Sequence, residues 1–529
     1  HLTVHSDAIG ITFTRTSHIY DPKLFAVLPL MGLLVACGGG GATAPVAVAP
    51  TPADPGTTVL ASAASLAQQC VAPRAGTVDR QGSIDTEKSW VRSFMDEAYL
   101  WYKDVPVVNA ANFTLANNGN SVAQTLDAYF QALKTKNMTA SGKLVDQFSF
   151  TVPTVDLQNQ QSGITSGYGF RRSTISGSVP RVVRILYVEQ GSPAQLGGVL
   201  RGDTITSIDG VDINDTTSAG VDTLNAGLVP TVASKTTSFG LRAANATVPR
   251  IVTITSSQSI AVTPVALSTV ISDGGNTVGY LVLNSFGVVS AEKQLIDAVT
   301  QFKSANVNEL VIDLRYNGGG YLDLANELAW MIGDTSLGGK TFEKLTCNDK
   351  NPLPFCNATD TFHQTTQGFS VASGQTLPQL RLKRVFVLTS GNTCSASESV
   401  INSLSPFMQV VRIGNTTCGK PYGFVYKDNC GTSYAAMQFK GVNALGFGDY
   451  ADGFAPSCPI ADDLTRQRGD PAESMLGGAL AFMRTGACPA ATSGSEKGIA
   501  QGLLQGGSYA MDRSPSEAVR VLRSSRVQP

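Results

Sequence analysis

The sequence predicts a multidomain chain: an α/β core, a smaller β domain with short helices inserted before it, and a helical N-terminal cap. Three observations carry that prediction. From about residue 277 to 489, apolar strand-like runs (Tyr280–Leu283, Leu310–Leu314, Val385–Leu388, Val410–Ile413) alternate with helical patterns (Ala291–Phe302, Leu322–Ile332, Ala396–Leu404), the rhythm of β–α–β units. From about 160 to 264 the runs are short and broken by glycine-rich turns, SGYGF at Ser166–Phe170 and GSPAQLGGVLRGDTITSIDG at Gly191–Gly210. From 62 to 155, Trp90, Phe94, Ala98 and Trp101, then Val122, Leu126, Tyr129 and Leu133, recur at three- and four-residue spacing. That spacing reads as helices with one apolar stripe, expected to pack rather than to bind.

At 529 residues the chain is long enough for two or three cores. Its 39 Lys plus Arg against 40 Asp plus Glu leave no basic footprint for nucleic acid. Near the start, Arg15 and Lys23 precede the apolar run Leu24–Ala36, too short to span a bilayer but matched to the apolar region of a secretory signal. Leu34-Val35-Ala36-Cys37 resembles a bacterial lipobox. That resemblance implies lipidation of Cys37 and, with Gly38 rather than Asp next, a periplasm-facing place on the outer membrane. The expected order is a signal peptide over 1–36, an extended Gly/Ala/Pro tether over 37–61, and the helical domain over 62–155. The β domain over 160–264 follows, then the α/β core over 265–490 and a loosely ordered tail over 491–529. Residues 338–382 interrupt the core and are expected to form a surface flap.

Nine cysteines fit an exported chain. With Cys37 set aside, Cys70, Cys347, Cys356, Cys394, Cys418, Cys430, Cys458 and Cys488 form an even set that suggests disulfides. Cys347 with Cys356 and Cys418 with Cys430 are the nearest local pairs. No C-x-x-C pair favours zinc.

The chemistry concentrates in three segments, each just after a predicted strand: DLRYNGGG (Asp313–Gly320), TCSASE (Thr393–Glu398) and CGKPYGF (Cys418–Phe424). They offer backbone N–H groups, a serine nucleophile at Ser395 and an amine at Lys420, a sufficient kit for acyl transfer without histidine. Only four histidines occur, His1, His5, His18 and His363, and the first three lie in the expected leader. A serine–histidine pair is therefore not expected, nor is a multi-histidine metal site. An amine of ordinary pKa ~10.4 is protonated at neutral pH and cannot act as a base. Pro421, Tyr422 and Phe424 are the expected apolar wall that would desolvate Lys420 and lower that value.

In this order the motifs resemble those of the carboxyl-terminal processing peptidases, also called tail-specific proteases, over roughly residues 160 to 485. The β domain resembles a bacterial-type PDZ domain. The resemblance implies a crotonase/ClpP-like catalytic core, Ser395 rather than Ser397 as nucleophile, Lys420 as general base and acid, and oxyanion donors in the N–H groups of Gly319 and Ala396. It also implies that Gly167, Tyr168, Gly169 and Phe170 receive the terminal carboxylate of a protein tail, and that no metal or organic cofactor is needed. Asp313, Arg315 and Glu398 are expected to be structural. The sequence departs from the family pattern at Phe424, where a glutamine commonly orients the lysine, and Gln438 is the candidate substitute. The expected partners are protein or peptide tails, with the membrane reached only through the lipid anchor; an oligomer is compatible with the sequence. Two rival readings are a non-catalytic peptide- or ligand-binding envelope protein on the same scaffold, and a scaffold in which the PDZ domain alone matters.

Overall fold

The computed structural model describes residues 60–176, 178–230, 234–350 and 353–489. The expected signal peptide, Cys37, the tether up to residue 59 and the tail lie outside the described residues.

The core is a six-stranded sheet in the order Val265–Asp273, Asn276–Leu283, Glu309–Asp313, Arg384–Thr389, Gln409–Gly414, Cys458–Pro459. The first pair is antiparallel and every later pair parallel. Alternate side chains point to opposite faces of a strand. Leu281, Leu310, Ile312, Val385 and Val387 thus pack beneath helices Ala291–Ser304, Leu322–Ile332 and Ala396–Leu404. Tyr280, Val282, Val311, Phe386, Leu388 and Ile413 pack on the other face against helix Ser474–Thr485. Because helices cover both faces, the strands read as unbroken apolar runs instead of alternating ones.

The β domain is a separate antiparallel sheet in the order Arg250–Thr255, Thr236–Arg242, Thr204–Ile208, Val182–Val188, Phe170–Ser176. Its core of Val183, Ile185, Ile205, Ile208, Phe239 and Leu241 closes against Leu224 of helix Ser218–Leu228. Phe170–Ser176 is the edge strand of that sheet.

The N-terminal helices and the insertion are both built into the core. The N-terminal helices Ile84–Ala98 and Val122–Ala132 form, with Ser83 and Ser121 as N-caps. Their apolar stripes pack, as expected, and the partner is the α/β core. Trp90, Phe94 and Phe130 close on Tyr434 of the core, at ring separations of 5.0, 6.4 and 5.6 Å, and strand Phe150–Pro153 pairs with Thr432–Ala435. The insertion is no mere flap. Its strand Thr341–Cys347 pairs with Phe439–Val442, which also pairs with Tyr422–Gly423 just after Lys420. Phe342, Phe362 and Leu377 enter the main apolar core. The buried carboxylate of Glu292 accepts the N–H groups of Gln367, Gly368, Ser370 and Val371, fixing the insertion's far end.

Disulfides Cys347–Cys356, Cys70–Cys430, Cys394–Cys418 and Cys458–Cys488 are present. The first is the expected local pair. The expected Cys418–Cys430 bridge is replaced by two longer-range ones. The chain around Cys418 runs back beside the Ser395 turn, where its N–H donates to the Thr393 carbonyl (3.1 Å). Cys430 instead sits in a hairpin turn whose N–H reaches Gln68 Oε1 (3.2 Å).

Candidate active site

Three parallel strands end side by side at Asp313, Thr389 and Gly414. Open sheets place their sites at such carboxyl ends, and the chain leaving each strand carries one of the three segments.

Ser395 is the N-cap of helix Ala396–Leu404, with φ 55° and ψ −118°. A non-glycine residue stays in such a conformation only when its surroundings impose it, and outliers of this kind collect at functional sites. A sharp, strained turn into a helix lifts a serine hydroxyl clear of its neighbours. Ser397 by contrast is fully buried, and its hydroxyl donates to the Asn317 carbonyl (3.1 Å).

Glu398 joins the two halves of the site. Its Oε2 accepts the N–H of Ser395 (3.0 Å) and of Lys420 (2.8 Å), and its Oε1 accepts the N–H of Gly419 (2.9 Å) and the hydroxyl of Thr417 (2.5 Å). Burial raises its carboxyl above the ordinary glutamate value, while the Thr417 hydroxyl and those three N–H groups work against the rise. Gly419 is required here: its φ is +86°, and a β-carbon would fall 2.2 Å from the Ala451 carbonyl oxygen. The Cys394–Cys418 disulfide adds a covalent link between the same two segments. Lys420 is half-buried, its Nζ 4.7 Å from the Phe424 ring centroid and 5.6 Å from that of Phe148. Phe424 was expected in that wall; Phe148, from the N-terminal segment, was not.

Gly319 lies against Ser395. At φ +102°, a β-carbon on it would meet Ser395 Cβ at 2.7 Å and the Ala396 nitrogen at 3.0 Å. Its N–H, the expected oxyanion donor, donates here to Asn317 Oδ1 (2.9 Å). Asn317 is the organiser of this turn, since its Nδ2 donates to Leu283 and its carbonyl accepts from Cys394. Ala396 is the first residue of its helix, and an N–H at that position has no partner within the helix. The carboxamide of Gln438, the candidate orienter, is engaged at both ends by the Val425 backbone (3.3 and 3.1 Å).

In the β domain, Gly167 ends strand Ile164–Gly167 and Phe170 begins the edge strand. The Tyr168 side chain is core, its hydroxyl donating to Thr237 Oγ1 (2.8 Å). The Gly169 carbonyl accepts from Glu189 (2.7 Å).

Asp313 and Arg315 have the structural role expected of them, inside a larger ionic cluster. Arg315 is fully buried and bonds Asp313 through Nε (2.9 Å), Glu473 through Nη1 (2.9 Å) and Asp462 through Nη1 (2.6 Å). Arg201 of the β domain reaches the same Asp462 (2.6 Å) and the Tyr316 hydroxyl (2.5 Å). Burial opposes ionisation of Asp313 and Asp462, but the guanidiniums beside them outweigh it and hold both carboxyls below the ordinary range. Elsewhere among the described residues, Asp323, Asp360 and His363 bring potential ligand atoms within 4.8 Å of one another. His363 there lies 3.1 Å from Asp323, tying the insertion to helix Leu322–Ile332.

Asn317 and Phe148 were not among the expected site residues, and Glu398 was expected only to be structural. For Glu398 a signal existed, because S-x-x-E is the pattern in which a glutamate accepts the N-cap N–H. For Phe148 there was none.

Comparison with known proteins gives the same arrangement of domains. Residues 277–425 match peptidase family S41 and residues 184–222 match a PDZ domain. The chain is 28% identical over 267 residues to a carboxyl-terminal-processing protease of Synechocystis, covering 50% of this chain and 55% of that one. It is 27% identical over 295 residues to the chloroplastic carboxyl-terminal-processing peptidase 1 of Arabidopsis thaliana, covering 54% and 53%. It thus spans about half the length of the curated relatives it matches. Among solved structures, a putative S41 protease from Bacteroides fragilis superposes with a TM-score of 0.58 at 26% identity, covering 74% of this chain and 96% of that one.

Proposed function

From the premise that this chain carries a peptidase family S41 domain joined to a PDZ domain, we propose that it is a serine endopeptidase that captures protein C-terminal tails and cleaves them with Ser395 and Lys420. The observation that carries the reading is the left-handed Ser395 turn, whose N–H shares one carboxylate oxygen with that of Lys420. Neutral Lys420 takes the Ser395 proton as Oγ attacks the scissile carbonyl, then returns it to the departing amine. Water, deprotonated by the same lysine, releases the acyl group. The Ala396 N–H supports the oxyanion, and Gly319 adds a second donor once its peptide lets go of Asn317. One such donor is worth roughly 3 kcal/mol of barrier.

In this reading a tail adds as an extra strand along the Phe170–Ser176 edge, with its carboxylate at the Gly167–Phe170 turn. Tethering both sites in one chain raises the effective concentration of a bound tail at the serine. Anchoring through a lipidated Cys37 in a bacterial outer membrane belongs to the same proposal and rests on the Leu34–Cys37 segment.

The test compares the parent with Ser395→Ala and Lys420→Ala on an unfolded protein with an apolar C-terminus. The parent is expected to cleave it and to be labelled by a fluorophosphonate at Ser395. Each variant should lose about 10³-fold or more in kcat. A parent that neither cleaves nor takes the label would leave the non-catalytic binding reading in its place.

A further inference from the structure

Resting on the Ser395–Lys420 reading, we propose that the Cys394–Cys418 disulfide is the positioning element of the dyad, so that the chain works as a peptidase only in its oxidised form.

The two cysteines bracket the chemistry. Cys394 immediately precedes Ser395, Cys418 stands two residues before Lys420, and their Cα atoms are 5.3 Å apart. The segments they join differ in what else holds them. Ser395 leads a regular helix but sits at φ 55°, a conformation its own backbone does not favour. Residues 416–421 belong to no helix or strand; backbone bonds fasten the segment at its two ends, Thr417 to the Phe454 carbonyl and the Pro421 carbonyl to Gly441, and between them the Lys420 N–H goes to the Glu398 carboxylate. The Cys418–Thr393 backbone bond, the Glu398 carboxylate and this disulfide tie the lysine segment to the serine turn. Gln438, on the strand side, is occupied by Val425. A small displacement of a reacting group is enough to cost a large factor in rate.

The sulfur chemistry gives the link a second consequence. Cys418 Sγ lies 3.4 Å from Glu398 Oε2, the oxygen that receives the N–H groups of both Ser395 and Lys420. In the disulfide that sulfur has no proton to offer. A dithiol reductant attacks one sulfur of the bridge, Cys418 being the part-exposed side, forms a mixed disulfide and expels the Cys394 thiolate, which takes up a proton. The second reductant thiol then closes its own disulfide and releases Cys418. Two electrons and two protons pass to the protein, and the reductant leaves oxidised. The new Cys418 S–H becomes a donor beside Glu398 Oε2 and competes with the two N–H groups that set the dyad.

The experiment uses the full chain, the Cys394→Ala/Cys418→Ala variant and, as a control remote from the dyad, Cys347→Ala/Cys356→Ala. Turnover of a tail-bearing substrate, fluorophosphonate labelling of Ser395 and hydrogen exchange of the Ser395, Gly419 and Lys420 amides are followed together. The expected result is a fall of about 10- to 100-fold in kcat and in labelling rate for the first pair. KM should stay within about twofold, and those three amides should exchange about tenfold faster or more. The control should keep its kcat. Unchanged amide exchange in the first pair overturns the proposal, whether or not the parent proves to be a peptidase. So does a kcat within twofold of an active parent. Faster exchange in the Cys394→Ala/Cys418→Ala variant, with a parent that neither cleaves nor labels, would uphold the positioning role while removing the catalytic reading beneath it. Should the alanine pair fail to fold, the oxidised parent is titrated with dithiothreitol and its disulfides are mapped by mass. Activity lost in step with the Cys394–Cys418 bond and regained on reoxidation supports the proposal, and activity outlasting that bond overturns it.

Discussion

A cluster of three buried carboxylates and one buried carboxylate by itself stand at neighbouring strand ends of one sheet and are held in opposite ways. Around Arg315, the carboxylates of Asp313, Asp462 and Glu473 meet the guanidiniums of Arg315 and Arg201. Around Glu398, one carboxylate takes three backbone N–H groups and a hydroxyl. The first arrangement joins elements far apart in the chain, from the PDZ domain to the helix at Ser474. The second sets the backbone of Ser395 and Lys420, the proposed dyad, relative to each other. Ion pairing buries charge and fixes domains, whereas amide binding fixes a few atoms with greater positional economy.

The largest expected effect comes from breaking the ionic cluster. Arg315→Ala leaves three buried carboxylates with one guanidinium and is expected to cost about 3–5 kcal/mol, read as a lowered melting temperature or loss of folded protein. A change below about 1 kcal/mol would mean that water compensates the charges and that the contrast drawn above is wrong. Glu398→Gln comes next. It keeps an acceptor for one side of the clamp and turns an amide N–H toward the other. The expected result is a kcat roughly 10²-fold lower at unchanged KM, with a stability loss of about 1–3 kcal/mol. An equal rise in KM would place Glu398 in tail binding rather than in positioning.

The smallest effect is in pH dependence, where the two kinds of site should slope in opposite directions. Asp313 and Asp462 have depressed folded values, so their contribution is present above the unfolded value of 3.8 and disappears as pH falls through the folded one. Glu343, on the insertion strand beneath the active-site helix, goes the other way. Burial, with Asp360 adding to it, pushes its carboxyl up to about 8 from 4.5. The native chain keeps a proton that the unfolded chain has released, so stability falls as pH rises from about 4.5 to about 8 and is flat beyond. Glu343→Gln should remove at most a few kcal/mol of that alkaline loss and leave the acid limb untouched. Melting curves from pH 3 to 9 separate the two limbs, and a variant whose alkaline slope matches the parent's would reassign it to another group.

Much of the fold was legible because covered strands and amphipathic helices leave period-specific traces, as at Val385–Leu388 and Leu322–Ile332. The placement of Gly319, Ser395 and Lys420 after three strands followed from that alternation. What was illegible depended on partners distant in sequence. Trp90 was read as a packing stripe, but its partner Tyr434 lies in another domain's strand and could not be named. Cys418 has a nearer neighbour in sequence than the Cys394 it bonds, and spacing alone cannot rank the two. The Gly319 N–H was assigned by motif, but its direction is set by Asn317, whose side chain competes for the same proton.

The Cys70–Cys430 bond has a sequence separation of 360. It closes a covalent ring that holds the PDZ domain, the insertion and both segments of the proposed dyad, from Ser395 to Lys420. A single backbone cut anywhere on that ring opens it without freeing a fragment. Such a nicked chain would run as one species under non-reducing conditions and as two once reduced. Exposed to proteases, this chain can be wounded in its loops and still hold its parts in register.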